Sequence, residues 1–272
     1  MITIRSRVQN YYCVPTMSTK QGYAIETSYP TDHNVETTNT VNDSRREPPT
    51  TERSTTLTSL MQARHSTRSF LPTPVPTDLL HEALSLAQNT PSNSNLQPWR
   101  LKIVTGDALQ RLSNALIEAV ASGAEPTTAA IPDSYRHYRS ALGRQLYGPD
   151  GYNVSRSDKE GMETARRRNY TFFGAPVGIV ICMDKALAEI DVLSVGMYVQ
   201  SLCLLLAERG LGTCCEASIA GYPEVVKEML GIGEGSTVLS GMAVGFEDRE
   251  HKLNRLRVGR DGYEECVEFV DR

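Results

Sequence analysis

The sequence lacks any run of about 18 or more uncharged apolar residues, the length an α-helix needs to cross a bilayer. The nearest candidate, 192–207, is shorter, carries Gln200 and is flanked by Asp191 and Glu208, the pattern of a buried helix. There is no sustained Lys/Arg block, and a formal net charge of −4 leaves no electrostatic footprint for nucleic acid. There is no HxxxH, HExxH or paired-cysteine spacing, so nothing marks a metal centre. The six cysteines, Cys13, Cys182, Cys203, Cys214, Cys215 and Cys266, lie mostly within apolar stretches. They read as reduced, buried thiols that need no oxidising compartment. A membrane protein, a nucleic-acid binder and a metalloenzyme are thereby set aside.

What is present is a chain of 272 residues with 40% hydrophobic content, enough for one well-packed catalytic domain. Residues 1–56 are rich in Thr, Ser, Asn and Pro, with apolar residues scattered at no period. Such a composition does not offset the entropy of ordering the chain, so a disordered extension is expected there, with the folded domain over 57–272. Residues 1–25 contain Arg5, Arg7 and Lys20 and no acidic residue, the charge bias of a mitochondrial targeting segment, but show no amphipathic stripe. A cytoplasmic location is the first expectation and a mitochondrial one the lesser.

A short helix from Leu57 or Thr58 to Ala63 leads into Arg64, His65, Ser66, Thr67 and Arg68. The prolines of 71–76 impose an extended link, after which Thr77 can cap a helix with the stripe Leu79, Leu80, Ala83, Leu84 and Ala87. A polar segment, 88–95, gives way to a strand at 101–104 and a helix with Leu109, Leu112, Leu116 and Val120 on one face. Residues 121–169 lose this regularity and become polar and rich in tyrosine, the character of a lid or channel insertion. The run Val177, Ile179, Val180, Ile181 predicts a buried strand. Val192, Val195, Val199, Leu202 or Cys203 and Leu206 predict a long helix ending at Gly210. Because its other faces also carry Leu193, Met197 and Leu204, that helix has to be enclosed by its own domain or by a second subunit. A buried segment through Cys215, a helix opened by Pro223, a strand over 238–246 and a charged tail complete the chain. Strands separated by helices in this way imply an α+β or α/β sandwich on one mixed or antiparallel sheet.

Four constellations could carry chemistry. Arg64, Ser66 and Arg68, with His65 between them, can surround a phosphate, since arginine offers a rigid fork of donors and serine a short one. A basic, solvated helix end would look the same. The segment 91–99, with Pro91, Ser92, Asn95 and Gln97, gathers amide and hydroxyl groups that suit either the mixed donors and acceptors of a heterocycle edge or an Asx turn before a core tryptophan. The glycines of 210–212 permit a tight approach beside Cys215, Glu216, Ala217 and Ser218, without forming a dinucleotide fingerprint. Arg255, Arg257 and Arg260 could complete an anion site or belong to a solvated tail.

Taken in this order and at these separations, the constellations resemble the nitroreductase family over roughly residues 58–272. The segment Arg64 to Phe70 is similar to the family's opening FMN-binding motif, and Pro91 to Trp99 to its second signature. Phe173 to Pro176 resembles the lead into the central strand, and Gly210 to Cys214 the loop after the long dimer helix. The resemblance implies an α+β three-layer sandwich, with helices flanking a mostly antiparallel sheet, in an intertwined homodimer whose interface holds FMN. It implies that Arg64, His65, Ser66, Arg68, Arg257 and Arg260 hold the ribityl phosphate or the pyrimidine side. It also implies that Pro91, Ser92, Asn95 and Gln97 meet the flavin edge, and that Cys215, Glu216, Ala217 and Ser218 lie along the isoalloxazine. The expected activity is ping-pong transfer of reducing equivalents from NADPH or NADH to a nitroaromatic, quinone or similar conjugated acceptor, with the flavin N5 rather than a side chain carrying the chemistry. A tailoring oxidoreductase acting on one biosynthetic intermediate would share every motif, and a non-enzymatic ligand-binding dimer is the reading of a different class.

Overall fold

The computed structural model describes residues 56–271. The expected extension over 1–56 therefore lies, but for Thr56, outside the described residues, as do Cys13 and the segment read for targeting. Helix α1 (Leu57–Ala63) starts where the Thr56 hydroxyl accepts from the Ser59 N–H at 3.1 Å. Helix α2 (Thr77–Ala87) buries Leu80, Ala83 and Ala87. Thr77, expected as its cap, is already helical; Pro76 holds the cap position and, with no polar side-chain atom, makes no capping bond.

Strand β1 (Trp99–Thr105) feeds directly into α3 (Gly106–Ala121), which buries Leu109, Leu112, Leu116 and Val120 as its period predicts. The irregular insertion holds α4 (Arg136–Tyr147) and a second helix, α5 (Lys159–Arg167). No apolar stripe announces α5: it buries only Ala165, and Asp158 caps it by accepting from the Gly161 N–H at 2.8 Å. Strand β2 (Val177–Asp184) is buried up to its last residue, and α6 (Glu189–Glu208) follows. Then come β3 (Leu211–Glu216), α7 (Pro223–Leu230), which ends on Gly231 at φ 58°, β4 (Ser236–Phe246) and the short α8 (Lys252–Arg255).

The four strands form one sheet in the order β1-β2-β4-β3, every neighbour antiparallel. Period-two alternation divides their side chains between two cores. Val180, Cys182, Cys214 and Ala243 face α3 and α7, together with Tyr170, Phe172 and Phe173. Ile179, Ile181, Leu211, Met242 and Val244 face α2 and α6. The result is the expected α+β sandwich of three layers.

Helix α6 is, among the described residues, the one helix long and apolar enough to cross a membrane. It instead lays Val195, Tyr198, Leu202 and Leu206 on the sheet, with Tyr198 stacked on Trp99 at 4.6 Å between ring centroids. Val192, expected in that stripe, is exposed beside Ile190 and Leu193. The first turn is rotated because Asp191 and Ser194 point inward to hold the 91–97 loop: Asn93 donates its amide to Asp191 Oδ1 at 3.3 Å and its N–H to the Ser194 hydroxyl at 3.2 Å. The five described cysteines are free; Cys182, Cys203 and Cys214 are buried as expected, whereas Cys215 and Cys266 are exposed.

Candidate functional site

Strand β3 is an edge strand, and its open side receives the segment that follows α1. Ser66 bridges to Thr213 in parallel, and the Thr67 N–H donates to the Thr213 carbonyl at 2.9 Å. The approach is close enough to require Gly212: a Cβ there would stand 2.5 Å from Thr67 Oγ1. Further on, Phe70 bridges to Glu247, and the Leu71 N–H donates to the Phe246 carbonyl at 2.9 Å. The Arg64–Arg68 run is thereby laid along β3 and beside the chain leaving β4.

The tail is moored to the same run by Asn254. Its Oδ1 accepts from the Arg68 N–H at 2.7 Å, while its amide donates to the carbonyls of Ser69 at 2.7 Å and Asp248 at 2.8 Å. This buried side chain fixes where α8 ends and where the next arginines project.

Between these elements lies a cleft of about 430 Å3, whose charged walls are Arg64, His65, Glu247, Arg249, Arg255 and Arg257. His65 spans the Glu247 carboxylate, 2.8 Å from Nε2, and the Ala63 carbonyl, 3.0 Å from Nδ1. Glu247 is thus engaged, and four guanidiniums dominate the cleft. Arg257 is braced by the carbonyls of Asn254 at 2.6 Å and Leu256 at 3.0 Å. Arg255 shares an exposed ion pair with Glu250 at 2.9 Å, which solvent makes cheap to exchange for a bound anion. Arg260 stands elsewhere: it is exposed and donates to its own backbone at Val258 and Gly259.

Arg68 lies on the other side of the bridge, half-buried, with its carbonyl accepting from Arg168 at 2.9 Å. Close to it, at the far end of β3, Glu216 is buried with no hydrogen-bond partner for either carboxylate oxygen. Burial pushes its pKa well above the ordinary carboxyl range, and the Arg68 charge offsets this only in part. The Ser218 hydroxyl is also buried without a partner, while Ala217 and Cys215 are exposed. The Cys215 sulfur lies 4.0 Å from that of Cys203 on α6. Burial raises the neighbouring Cys214 thiol to about 12, which makes it a poor nucleophile.

The amide segment occupies a different place, over the start of α6. Ser92 accepts from the Gln97 N–H at 3.0 Å, and Gln97 donates its side-chain amide to the Asn95 carbonyl at 3.1 Å. Ser94, Asn95 and Gln97 hold φ of 47°, 56° and 47°, a left-handed course that asparagine tolerates and the other two adopt at a cost. Pro91, Asn95 and Gln97 face solvent. None of Pro91, Ser92, Asn95 and Gln97 lines the cationic cleft. The chain therefore gathers Arg64, His65, Arg255 and Arg257 into one cleft, sets Ser66 and Arg68 against the adjoining length of β3, and presents the amide loop on another face.

Sequence reasoning passed over Arg249 and gave Asn254 no role, while Arg255 stood only as one of three tail arginines that could complete an anion site. The signal for Arg255 was present, because it and Arg257 are two apart where the chain leaves α8 and becomes extended, which places them on one side. Arg260, three positions further, falls off that side. Arg249 and Asn254 gave no local signal, since their placement depends on the bridge between Phe70 and Glu247.

A phosphate-bearing cofactor fits these residues. The cleft supplies several guanidiniums, and the unpaired Ser218 hydroxyl lies in the turn just past β3 as a donor without a partner. Residues 61–246 match the model of the nitroreductase family. The 4-nitrobenzoate reductase of Pseudomonas putida is 32% identical over 78% of this chain and 94% of its own. The chloronitrobenzene nitroreductase of Comamonas testosteroni is 31% identical over 78% and 95%. Among solved structures, the FMN- and NADPH-dependent nitroreductase NfnB from sphigopyxis sp. strain HMH superposes with a TM-score of 0.76 at 31% identity. That likeness covers 80% of this chain and all of the other. With a family match over most of its length and the fold and cleft to accompany it, this chain belongs to the nitroreductase family.

Proposed function

We propose that the chain reduces nitroaromatic compounds, and by the same route quinones and similar electron-poor acceptors, in two half-reactions at one site. It is an FMN-dependent NAD(P)H oxidoreductase, like the enzymes it resembles. The observation that carries the reading is the arginine-lined cleft beside β3, built from the two ends of the domain.

FMN, when bound, would supply the redox chemistry that joins the nicotinamide to the acceptor. Arg64, Arg255 and Arg257 would hold its phosphate, with Ser66 and Arg68 beside them. Ser218, in the turn past β3, would donate to the flavin ring system, and Cys215, Glu216 and Ala217 would form the adjoining wall. Burial favours the protonated form of Glu216, and in that form it would donate a hydrogen bond where an ionised carboxylate could only accept. The exposed Pro91–Gln97 loop, including Ser92 and Asn95, would reach the flavin edge in the assembled dimer.

A homodimer suits the surface as well. Leu57 and Met61 on α1 are 67% and 55% exposed, and Ile190 and Leu193 on α6 are 58% and 61% exposed. A second copy covering these two helices would bury that apolar surface. The likeness to bacterial reductases supports a cytoplasmic location and lends nothing to the mitochondrial alternative.

The tailoring alternative retains every residue named and differs only in the acceptor. The test is anaerobic. The purified, FMN-loaded protein should lose its visible flavin absorbance on adding NADPH or NADH and regain it on adding 4-nitrobenzoate, at a rate that accounts for turnover. Initial-rate plots should be parallel. Bleaching with no reoxidation by nitroaromatics or quinones would leave the tailoring role, and protein that cannot take up FMN would leave only ligand binding.

A further inference from the structure

The insertion between α3 and β2 encloses a second cavity, of about 1170 Å3, set between α4 and α5. Its wall is strongly one-signed: Arg136, Arg139, Arg144, Arg156, Lys159 and Arg166 line it, against the single acid Glu163. The chain as a whole carries a formal charge of −4, so this concentration of cations is local. Arg136 and Arg139, three residues apart, share a face of α4, and Arg144 joins the same wall one to two turns on.

The one acid in the wall and the acid beside Arg136 are already paired. Glu163 pairs with Arg166 at 2.8 Å and with Arg167 at 3.1 Å, and Asp133 pairs with Arg136 at 3.1 Å. Among the described residues, Arg139, Arg144, Arg156 and Lys159 have no ion pair. Like charges crowded around one cavity repel one another, and an entering anion relieves that repulsion. Leu142, Leu146, Tyr147 and Met162 add apolar and aromatic surface, so the wall suits a charged group carried on an organic body rather than a bare ion.

The cavity is linked to the flavin side of the domain. Val154 lines both it and a smaller neighbour of about 440 Å3 that also contains Tyr152 and Arg168. Arg168 in turn donates to the Arg68 carbonyl at 2.9 Å. Tyr138 on α4 is hydrogen-bonded to Asp261, which ties the insertion to the segment following Arg257 and Arg260.

We propose that this cavity is the subsite for the anionic, non-reacting end of a substrate, a phosphate or carboxylate held by Arg139, Arg144 and Arg156. The inference rests on the flavin-reductase reading above. Two substrates present that chemistry: NADPH through its 2′-phosphate, which NADH lacks, and an aromatic acid through its carboxylate, which a neutral nitroarene lacks. Guanidinium forks match either group in two-point contacts.

The test uses the FMN-loaded protein and the paired variant Arg144→Gln with Arg156→Gln, both exposed side chains whose replacement leaves the cores untouched. Loss of charge-assisted contacts should raise KM about tenfold for one of these substrates and leave the counterpart that lacks the recognised group within about twofold. A rise for NADPH and not NADH assigns the 2′-phosphate. A rise for 4-nitrobenzoate and not nitrobenzene assigns the carboxylate. Calorimetry with adenosine 2′,5′-bisphosphate and with benzoate reads binding without turnover, and the matching probe should bind the parent and fail to bind the variant. Arg144→Lys with Arg156→Lys should restore part of the effect. Unchanged KM for both anionic substrates, with neither probe bound by the parent, overturns the proposal while leaving the reductase reading intact. A parent protein that fails to bleach with either nicotinamide overturns the reductase reading itself.

Discussion

The Arg68 amide and the Asn254 side chain, 186 positions apart, meet in a 2.7 Å hydrogen bond that joins the first basic motif to the last. Through it the arginines after β4 are brought beside those before α2. Asn254→Ala would leave the Arg68 N–H and the Ser69 and Asp248 carbonyls without their partner. The expected loss is about 2–4 kcal/mol of folding stability, given that each buried group left unpaired costs about 1–3 kcal/mol. Urea unfolding of the FMN-free protein reads this directly, and a loss below about 0.5 kcal/mol would deny Asn254 its mooring role.

Cleft geometry separates three arginines that are equivalent in sequence. Arg255→Ala and Arg257→Ala should each weaken FMN binding on the order of tenfold to a hundredfold, the worth of a charge-assisted hydrogen bond. Arg260→Ala should change it within about twofold, because that guanidinium is held on its own backbone outside the cleft. Fluorescence titration of apoprotein with FMN ranks them. An effect of Arg260→Ala as large as that of Arg257→Ala would show that the tail rearranges on binding.

Glu216 predicts a pH signature. Its folded-state pKa lies above the unfolded value of about 4.5, so the native chain holds a proton that the unfolded chain has released. Its contribution to stability is therefore fully present below about pH 4.5 and is lost as pH rises toward the folded pKa. Glu216→Gln cannot ionise, so FMN-free variant should be more stable than the parent at neutral pH, and the two should converge below about 4.5. The difference in urea midpoint across pH is the measurement. A gap that fails to widen with pH would mean that the carboxylate finds a partner in solution.

The exposed face of α6 predicts assembly. Leu193→Asp places a charge on apolar surface assigned to a second copy and should shift the protein from dimer to monomer by sedimentation, with loss of retained FMN. A dimer that survives the substitution at micromolar concentration would move the interface elsewhere.

Much of the fold was legible because it is written in local periods. The α3 stripe states which face is buried, the run Val177, Ile179, Val180 and Ile181 states a strand buried throughout, and the structure buries them so. Helix α5 was not legible, since its sequence offers almost nothing apolar and its place depends on Asp158 as a cap and on packing by neighbours. Val192 was misjudged because two polar residues of α6, Asp191 and Ser194, are drawn inward by Asn93, a long-range contact that no helical period records. At the site, Arg64, Ser66 and Arg68 stood out by composition. Arg249 and Asn254 acquire their positions from strand pairing between distant segments.

A cleft lined by four guanidiniums should recognise the phosphate of its cofactor. Binding of FMN and of riboflavin, which lacks that phosphate, to the same apoprotein tests this most directly. FMN should bind on the order of a hundredfold or more tightly, and Arg257→Ala should narrow the gap by about tenfold. Equal affinity for the two flavins, or a gap that Arg257→Ala leaves unchanged, would contradict the assignment of the cleft.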